Sequence, residues 1–295
     1  MKVFVTGVTG FLGRALVAAL RGRGDEVVGL SRGGGDWVQG DPMVAGPWQA
    51  QIAGCEAIVH LAGEPLAGKR WSEAQKKLIR ESRVDGTAQV VKAINDAPRE
   101  SRPRVLVTAS GADFYPADES DRPYSEDAPA GTSFLAEVCT AWEGAARTAE
   151  PLGVRVVPLR IGVVLGRGEG AMAKLATAFK LFVGGPVGSG RQWFSWVHVD
   201  DVVGATLQAI DRPALRSALN VVSPGAVRQR DFAAAVGRAL HRPSWLPVPG
   251  AALRVAIGEL AHYLLAGRRV VPAALEDAGY RFQHVEIDQA VALST

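Results

Sequence analysis

The chain predicts an α/β fold, a doubly wound parallel sheet with helices on both faces and a smaller, mostly helical C-terminal lobe. Three observations predict it. A short apolar strand, Val3 to Val5, runs straight into Gly7, Gly10 and Gly13 and on into the apolar-periodic helix Phe11 to Leu20. Beyond it, apolar runs of strand length alternate with helical patterns as far as Leu159. The 295 residues are 47% hydrophobic and 21% charged, enough to bury a large core in one globular unit.

The first unit is the most specific. Glycine permits backbone angles closed to other residues, lets the chain approach a pyrophosphate, and lets helix and strand pack closely. Free N–H groups and the positive end of the helix dipole then face the phosphates. A dinucleotide site is expected. Glu26 to Leu30 is the second strand, and Ser31 and Arg32 follow it where an NAD-binding protein usually holds the ribose hydroxyls with Asp or Glu. A carboxylate would repel the extra phosphate of NADP, whereas a hydroxyl and a guanidinium bind it, so NADP(H) is expected. The alternative reading of Arg32 is a solvated loop residue.

Ala57 to Leu61 then reads as a strand, Ser72 to Ala93 as a helix, Arg104 to Ala109 as a strand, Ser133 to Glu150 as a helix and Val154 to Leu159 as a strand. From Gly162 the pattern loosens. A helix is expected near Ala171 to Phe182, then a glycine-rich loop from Gly184 to Gly190 and the aromatic segment Trp193 to Asp201. A helix from Val202 to Ile210, a strand near Leu219 to Val222 and two or three helices between Gln229 and Ala278 complete the reading. Residues 1–165 are expected to form a Rossmann NADP-binding domain, with strands returning near 197–222. Residues 166–295, with the helical segment 245–295, are expected to form a substrate lobe over the carboxyl ends of the strands.

The formal charge is +3 and the isoelectric point about 9.0, but no run of five basic residues occurs. Between Lys69 and Arg83 the positive charges alternate with Glu73 and Glu81, as on a solvated helix face, so no nucleic-acid partner is expected. Cys55 and Cys139 lack metal-ligand spacing and read as reduced thiols of a cytoplasmic protein. The given sequence leads directly into a core strand, so no signal peptide is expected. No apolar stretch reaches membrane-spanning length without a charge; Ala251 to Ala266 is interrupted by Arg254, Glu259 and His262 and reads as an amphipathic helix.

Gly7-Val-Thr-Gly-Phe-Leu-Gly13, Leu61-Ala-Gly63, Ser82-Arg-Val-Asp-Gly-Thr87 and Val197-His-Val-Asp-Asp201 together resemble the extended short-chain dehydrogenase/reductase superfamily. Leu61-Ala-Gly-Glu-Pro65, Trp142-Glu143, Gly162-Val-Val-Leu-Gly166 and the run from Gly184 to Trp196 resemble its atypical epimerase-like subfamily, and the similarity spans essentially the whole chain. The resemblance implies that Gly7, Thr9, Gly10, Phe11, Leu12 and Gly13 hold the cofactor phosphates, Ser31 and Arg32 the adenosine phosphate, and Leu61, Ala62, Gly63 and Glu64 the strand-end side of the nucleotide. Arg83 stands where most extended members have asparagine; it either binds a cofactor phosphate or is a solvated helix residue. Relatives often pair through two long helices, here those holding Lys77 and Trp142, so a homodimer is expected.

The superfamily's chemistry uses a tyrosine and a lysine one helical turn apart, and this chain has no such pair. Four residues beyond Tyr115, Tyr124, Tyr263 and Tyr280 stand Glu119, Ala128, Gly267 and His284. One register of the relevant helix puts Phe134 and Val138 at the two positions, the other Leu135 and Cys139. Neither supplies an acid or a charge. The serine of the usual triad survives as Ser110, which is expected to bond a substrate oxygen and to border the cofactor, or else to cap a turn. Tyr115 is the first candidate proton donor, or else covers the nicotinamide; Glu64 and Glu137 are the weaker candidates. Where nucleotide-sugar enzymes grip a diphosphate with arginine, this chain has Phe194, and Trp193, Phe194 and Trp196 read either as an aromatic pocket or as core. His198, Asp200 and Asp201 lack metal-site spacing and are expected to make turn and cap hydrogen bonds, with no metal site.

Two functions follow. One is an NADP(H)-dependent oxidoreductase or epimerase acting on an unknown small molecule through a rearranged proton relay. The other is a non-catalytic NADPH-binding sensor or structural protein.

Overall fold

Seven parallel strands form the centre of the computed structural model of the chain, which describes residues 1–168 and 184–295 together with Met172, Thr177 and Phe179. They are β1 (Lys2–Thr6), β2 (Glu26–Ser31), β3 (Val38–Gln39), β4 (Ala57–His60), β5 (Val105–Gly111), β7 (Arg155–Ile161) and β11 (Leu219–Val221), in the order β11-β7-β5-β4-β1-β2-β3. From β1 the chain winds outward through β2 and β3, then returns to β4 and winds the other way. The sheet therefore reverses between β1 and β4, and the crevice at the carboxyl ends of these two strands is where such sheets hold ligands.

Alternation along β1 fixes the layers. Val3 and Val5 face one core with Leu16, Val17 and Leu20 of α1 (Phe11–Gly22) and Val202, Ala205 and Ala209 of α4 (Val199–Asp211). Phe4 faces the other core, with Val90 and Ile94 of α2 (Glu73–Asp96) and Ala146 of α3 (Phe134–Arg147). Ser72 and Ser133 cap α2 and α3, each accepting a hydrogen bond from the amide three residues on. The helices predicted from Ser72 and Ser133 thus begin one residue later, after their caps.

The later segments are less regular. β8 (Val163–Leu165) pairs with β10 (Trp196–His198), β9 (Trp193–Phe194) with β12 (Val227–Arg228), and β6 (Pro123–Tyr124) with β13 (Arg269–Val270). Four helices, not two or three, lie between Gln229 and Ala278: α5 (Gln229–Leu240), α6 (Gly250–Ile257), α7 (Leu260–Leu265) and α8 (Ala273–Asp277). The single amphipathic helix predicted over Ala251 to Ala266 is two, because Gly258 breaks it with a φ of +66°. A terminal helix α9 (Ile287–Ser294) packs on α5. The short edge strand β3 carries too few residues for alternation to show, and the sequence reading missed it. The predicted helix Ala171 to Phe182 lies outside the described residues. Among those described, no helix is long and apolar enough to cross a membrane.

Candidate functional site

The glycines of the first turn do three different things. Gly7 has a φ of +73°, and a Cβ on it would stand 3.1 Å from the Ala62 amide nitrogen, so glycine lets β1 leave the sheet against the end of β4. Gly10 donates its N–H to the Gly7 carbonyl at 3.0 Å and caps α1. A Cβ on Gly13 would lie 2.0 Å from the Gly7 carbonyl oxygen, so glycine alone allows helix and turn to close. The first helical hydrogen bond runs from the Arg14 N–H to the Gly10 carbonyl. Phe11, Leu12 and Gly13 therefore present their amides without helical acceptors, and no acidic residue stands in that turn. Thr9 is exposed beside them, its carbonyl accepting from Arg14.

The end of β4 is tied to this turn. The Thr6 hydroxyl accepts the Leu61 and Ala62 amides, both at 3.2 Å, and lies 2.7 Å from His60 Nδ1. With both of its lone pairs used, the hydroxyl donates to Nδ1, which leaves the proton on His60 Nε2. That nitrogen is buried without a hydrogen-bond partner among the described residues, and burial pushes the imidazole down to about 4. Past it, Arg83 reaches back from α2 to bond the Glu64 carbonyl at 3.0 Å, lies across Gly63, and stacks over Trp142 at 5.2 Å. Neither expectation for Arg83 describes this role. It clamps the Leu61 to Glu64 segment, and its desolvated guanidinium is held below its usual pKa by burial. The Glu64 carboxylate takes Gln75 and Lys69. The bond from Gln75 is the first cause of its lowered pKa, which keeps it charged and unsuited to donate a proton.

Ser31 ends β2 and accepts the Gly33 amide, while the exposed Arg32 side chain makes no hydrogen bond or ion pair among the described residues. A guanidinium so placed at the crevice is available to an anion.

Ser110 is the penultimate residue of β5, but its hydroxyl turns inward and donates to Glu143 Oε1 at 2.8 Å. Glu143 is held by Arg160 through Nε at 2.8 Å and Nη2 at 2.9 Å, all three side chains being buried. Arg160 also donates to the Tyr115 hydroxyl at 2.8 Å, which itself donates to Asn220 Oδ1 at 2.7 Å. Tyr115 is 0% exposed and its phenol is pushed up to about 12 by burial. This corrects the expectation for Tyr115: with no surface on the crevice and its proton committed to Asn220, it is no proton donor to a substrate. Glu137 is exposed on α3, away from the buried face. Two of the three aromatics resolve toward core, Trp196 fully buried and Phe194 stacked on Phe232 at 4.0 Å, whereas Trp193 lies half-buried against Arg228 and Arg269.

The structure also chooses the register of α3. Cys139 Sγ stands 3.5 Å from where a Cβ on Gly111 would be, at the end of β5, so Leu135 and Cys139 occupy the face toward the crevice. Burial pushes the Cys139 thiol up to about 12, leaving it neutral. One residue the sequence reading missed approaches this face. Tyr263, from α7, receives the Leu135 amide on its hydroxyl oxygen at 3.2 Å and has the Ser133 hydroxyl as a further hydrogen-bond neighbour. The amide uses the oxygen as acceptor, which leaves the phenolic proton for the Ser133 hydroxyl or for a substrate oxygen. Burial raises its pKa, which keeps the phenol protonated at neutral pH. Trp71 joins it to Phe134, with ring centroids 5.4 Å from Tyr263 and 5.6 Å from Phe134. Nothing at Tyr263 signals this in sequence, since it stands 128 residues from its partner Leu135.

The comparisons with known proteins agree with this frame. The family model described as NAD dependent epimerase/dehydratase family matches residues 3–222, and a domain of unknown function (DUF1731) matches residues 248–292. The chloroplastic SDR39U1 homolog of Arabidopsis thaliana, an epimerase family protein, is 41% identical, covering 99% of this chain and 86% of its own. Mouse SDR39U1 is 37% identical, covering 99% and 98%. Among solved structures, human SDR39U1 (isoform 2) with NADPH superposes with a TM-score of 0.88 at 35% identity, covering 100% of this chain and 99% of that one. A nucleoside-diphosphate sugar epimerase from Corynebacterium glutamicum superposes at 0.79 with 31% identity, covering 100% of this chain and 58% of the other. With a parallel sheet reversing at β1 and β4, a three-glycine turn at that reversal and a family match over most of its length, the chain belongs to the NAD dependent epimerase/dehydratase family.

Proposed function

We propose that this protein is an NADPH-dependent oxidoreductase of a small substrate in which Tyr263, from the C-terminal lobe, takes the place of the missing helical tyrosine. The observation that carries the proposal is a protonated phenol whose oxygen accepts the Leu135 amide, on the helix face that borders the end of β5. The residues present fit the dinucleotide. The Gly7 to Gly13 turn is a cradle that a Cβ would fill, and the amides of Phe11, Leu12 and Gly13 suit its pyrophosphate. Ser31 and Arg32 suit the extra phosphate, and the NADPH in the human SDR39U1 structure supports that preference. Bound there, the nicotinamide supplies or accepts a hydride. The protein's part is then to hold a substrate oxygen near Tyr263 Oη and give it a proton. The Leu135 amide at the α3 N-terminus stabilises the phenolate left behind. Two buried free thiols suit a reducing compartment such as the cytoplasm.

A second reading, a non-catalytic NADPH-binding protein, has its own support: the neutral Leu135 and Cys139 at the family's acid and charge positions. Titration with NADPH and NADH, followed by nicotinamide absorbance against aldehydes, ketones and quinones, separates the two. Turnover that falls 10²- to 10⁴-fold in Tyr263→Phe, with NADPH affinity kept, is the expected result. Tight binding without oxidation of any probe favours the second reading, and equal affinity for NADPH and NADH overturns the cofactor assignment common to both.

A further inference from the structure

We propose that His198, Asp200 and His284 form a binding site for a divalent first-row transition cation, with Zn²⁺ as the probe. His198 ends β10, Asp200 lies in the first turn of α4, and His284 lies in the segment leading to α9. Asp200 Oδ2 is 3.1 Å from His198 Nδ1 and 3.0 Å from His284 Nε2, and the three donor atoms lie within 4.8 Å of one another. Ligands about 2.0–2.1 Å from a cation, set at right to tetrahedral angles, stand about 2.9–3.4 Å apart, so both nitrogen-to-oxygen distances fit a shared ion.

Without a cation, the His284 Nε2–H donates to the Asp200 carboxylate and the His198 Nδ1–H competes for the same oxygen; a cation replaces both protons. His198 Nδ1 lies 3.3 Å from the Asp200 amide, which it caps, and 3.1 Å from the Asp200 carboxylate. One nitrogen cannot accept from an N–H and donate to a carboxylate at once. A cation takes the Nδ1 lone pair of the neutral ring and the carboxylate oxygen beside it, in exchange for the long 3.3 Å contact from the Asp200 amide. The other ring nitrogen of His284, Nδ1, is buried without a partner among the described residues, so this histidine's polar contact is made wholly at the shared carboxylate.

The three donors are held from behind. β10 pairs with β8 at His198 and Leu165. The fully buried Asp201 accepts the Gln283 amide at 2.8 Å, the His284 amide at 3.0 Å and the Tyr280 hydroxyl at 3.1 Å, which fixes the His284 backbone against α4. The Asp200 side chain is 53% exposed, giving a cation a way in and room for water as further ligands. Two imidazoles and one carboxylate select Zn²⁺, Co²⁺ or Ni²⁺ over Mg²⁺ and Ca²⁺. His198, His284 and Asp200 make up the donor set of a two-histidine, one-carboxylate triad. Spacing alone could not reveal it, because the third ligand stands 84 residues beyond Asp200. A bound cation would staple the C-terminal segment to the first turn of α4.

The test is calorimetric titration of the chelator-treated full chain with Zn²⁺, alongside thermal unfolding. One Zn²⁺ per chain with a Kd of micromolar or below is expected, with Tm rising by about 4 °C at a hundredfold excess over Kd and no response to millimolar Mg²⁺. Asp200→Asn, an exposed substitution that leaves the fold intact, and His284→Gln should each abolish both effects. No binding by the unmodified chain, or stoichiometric binding that survives Asp200→Asn, overturns the site.

Discussion

The turn between β1 and α1 and the first turn of α3 both border the carboxyl ends of the same sheet, yet they have diverged in opposite directions. The β1 turn keeps everything an anion requires: a left-handed Gly7, a Gly13 that admits no Cβ, and helix amides with no acidic neighbour. The α3 turn keeps its backbone and its Ser133 cap but presents Leu135 and Cys139, neither of them charged, where the superfamily's acid and charge would stand. Behind α3 the charge has moved inward, into the buried chain Ser110, Glu143, Arg160, Tyr115 and Asn220. Cofactor binding and proton chemistry thus separate: the first rests on local backbone shape, the second on side chains that distant segments supply.

The sharpest way to break this comparison is through the buried chain. Glu143→Ala leaves Arg160 inside the protein without its carboxylate and should cost about 3–5 kcal/mol of stability, read by denaturant unfolding. A loss below about 1 kcal/mol would mean that water reaches Arg160 and that the network belongs to the crevice after all. On the cofactor side the largest expected effect is on pH dependence. His60 is neutral when folded, with its pKa pushed down to about 4 by burial, whereas unfolding returns it to about 6.5. The unfolded state then binds the additional proton, so the stability His60 permits is fully present above about pH 6.5 and is lost as pH falls toward 4, by about 3 kcal/mol. Unfolding midpoints measured between pH 4 and 7, flattened in His60→Gln, check the assignment.

Much of the cofactor end was legible in the sequence because its determinants are contiguous. Strand, three glycines and helix occupy residues that touch one another, and Ser31 ends β2 with Arg32 directly after it. Arg83 was only half legible: its position on a helix was clear, but its carbonyl acceptor on Glu64 lies 19 residues away and its stacking partner Trp142 is on another helix. The α3 end was legible as a deficit, the absent tyrosine and lysine, but not as a replacement. Tyr115 lies only five residues past Ser110 and looked near the crevice, yet its ring turns under the sheet edge to meet Tyr124 and Asn220. Tyr263 looked remote and reaches α3, because α7 folds back over a helix whose N-terminus needed an acceptor.

Two smaller effects sharpen the comparison. Arg32→Ala should weaken NADPH binding by about tenfold to a hundredfold, as loss of a charge-assisted phosphate contact of about 1.5–3 kcal/mol requires, while NADH affinity stays within about twofold. Equal losses for the two nucleotides would move the adenosine phosphate elsewhere on the turn. Tyr115→Phe then separates burial from chemistry within one residue type. It removes an oxygen that accepts from Arg160 and a proton that Asn220 accepts, so both partners lose a bond inside the protein. The expected cost is about 1–3 kcal/mol in stability, read as a lower unfolding midpoint, with no change in NADPH affinity or in turnover of any probe substrate. Tyr263→Phe should do the reverse, because at this partly buried helix end it removes an acceptor for the Leu135 amide that water can replace. If Tyr115→Phe silences turnover at unchanged stability, the proton passes along the buried chain to Ser110 rather than from the lobe, and the separation of the two ends of the crevice fails.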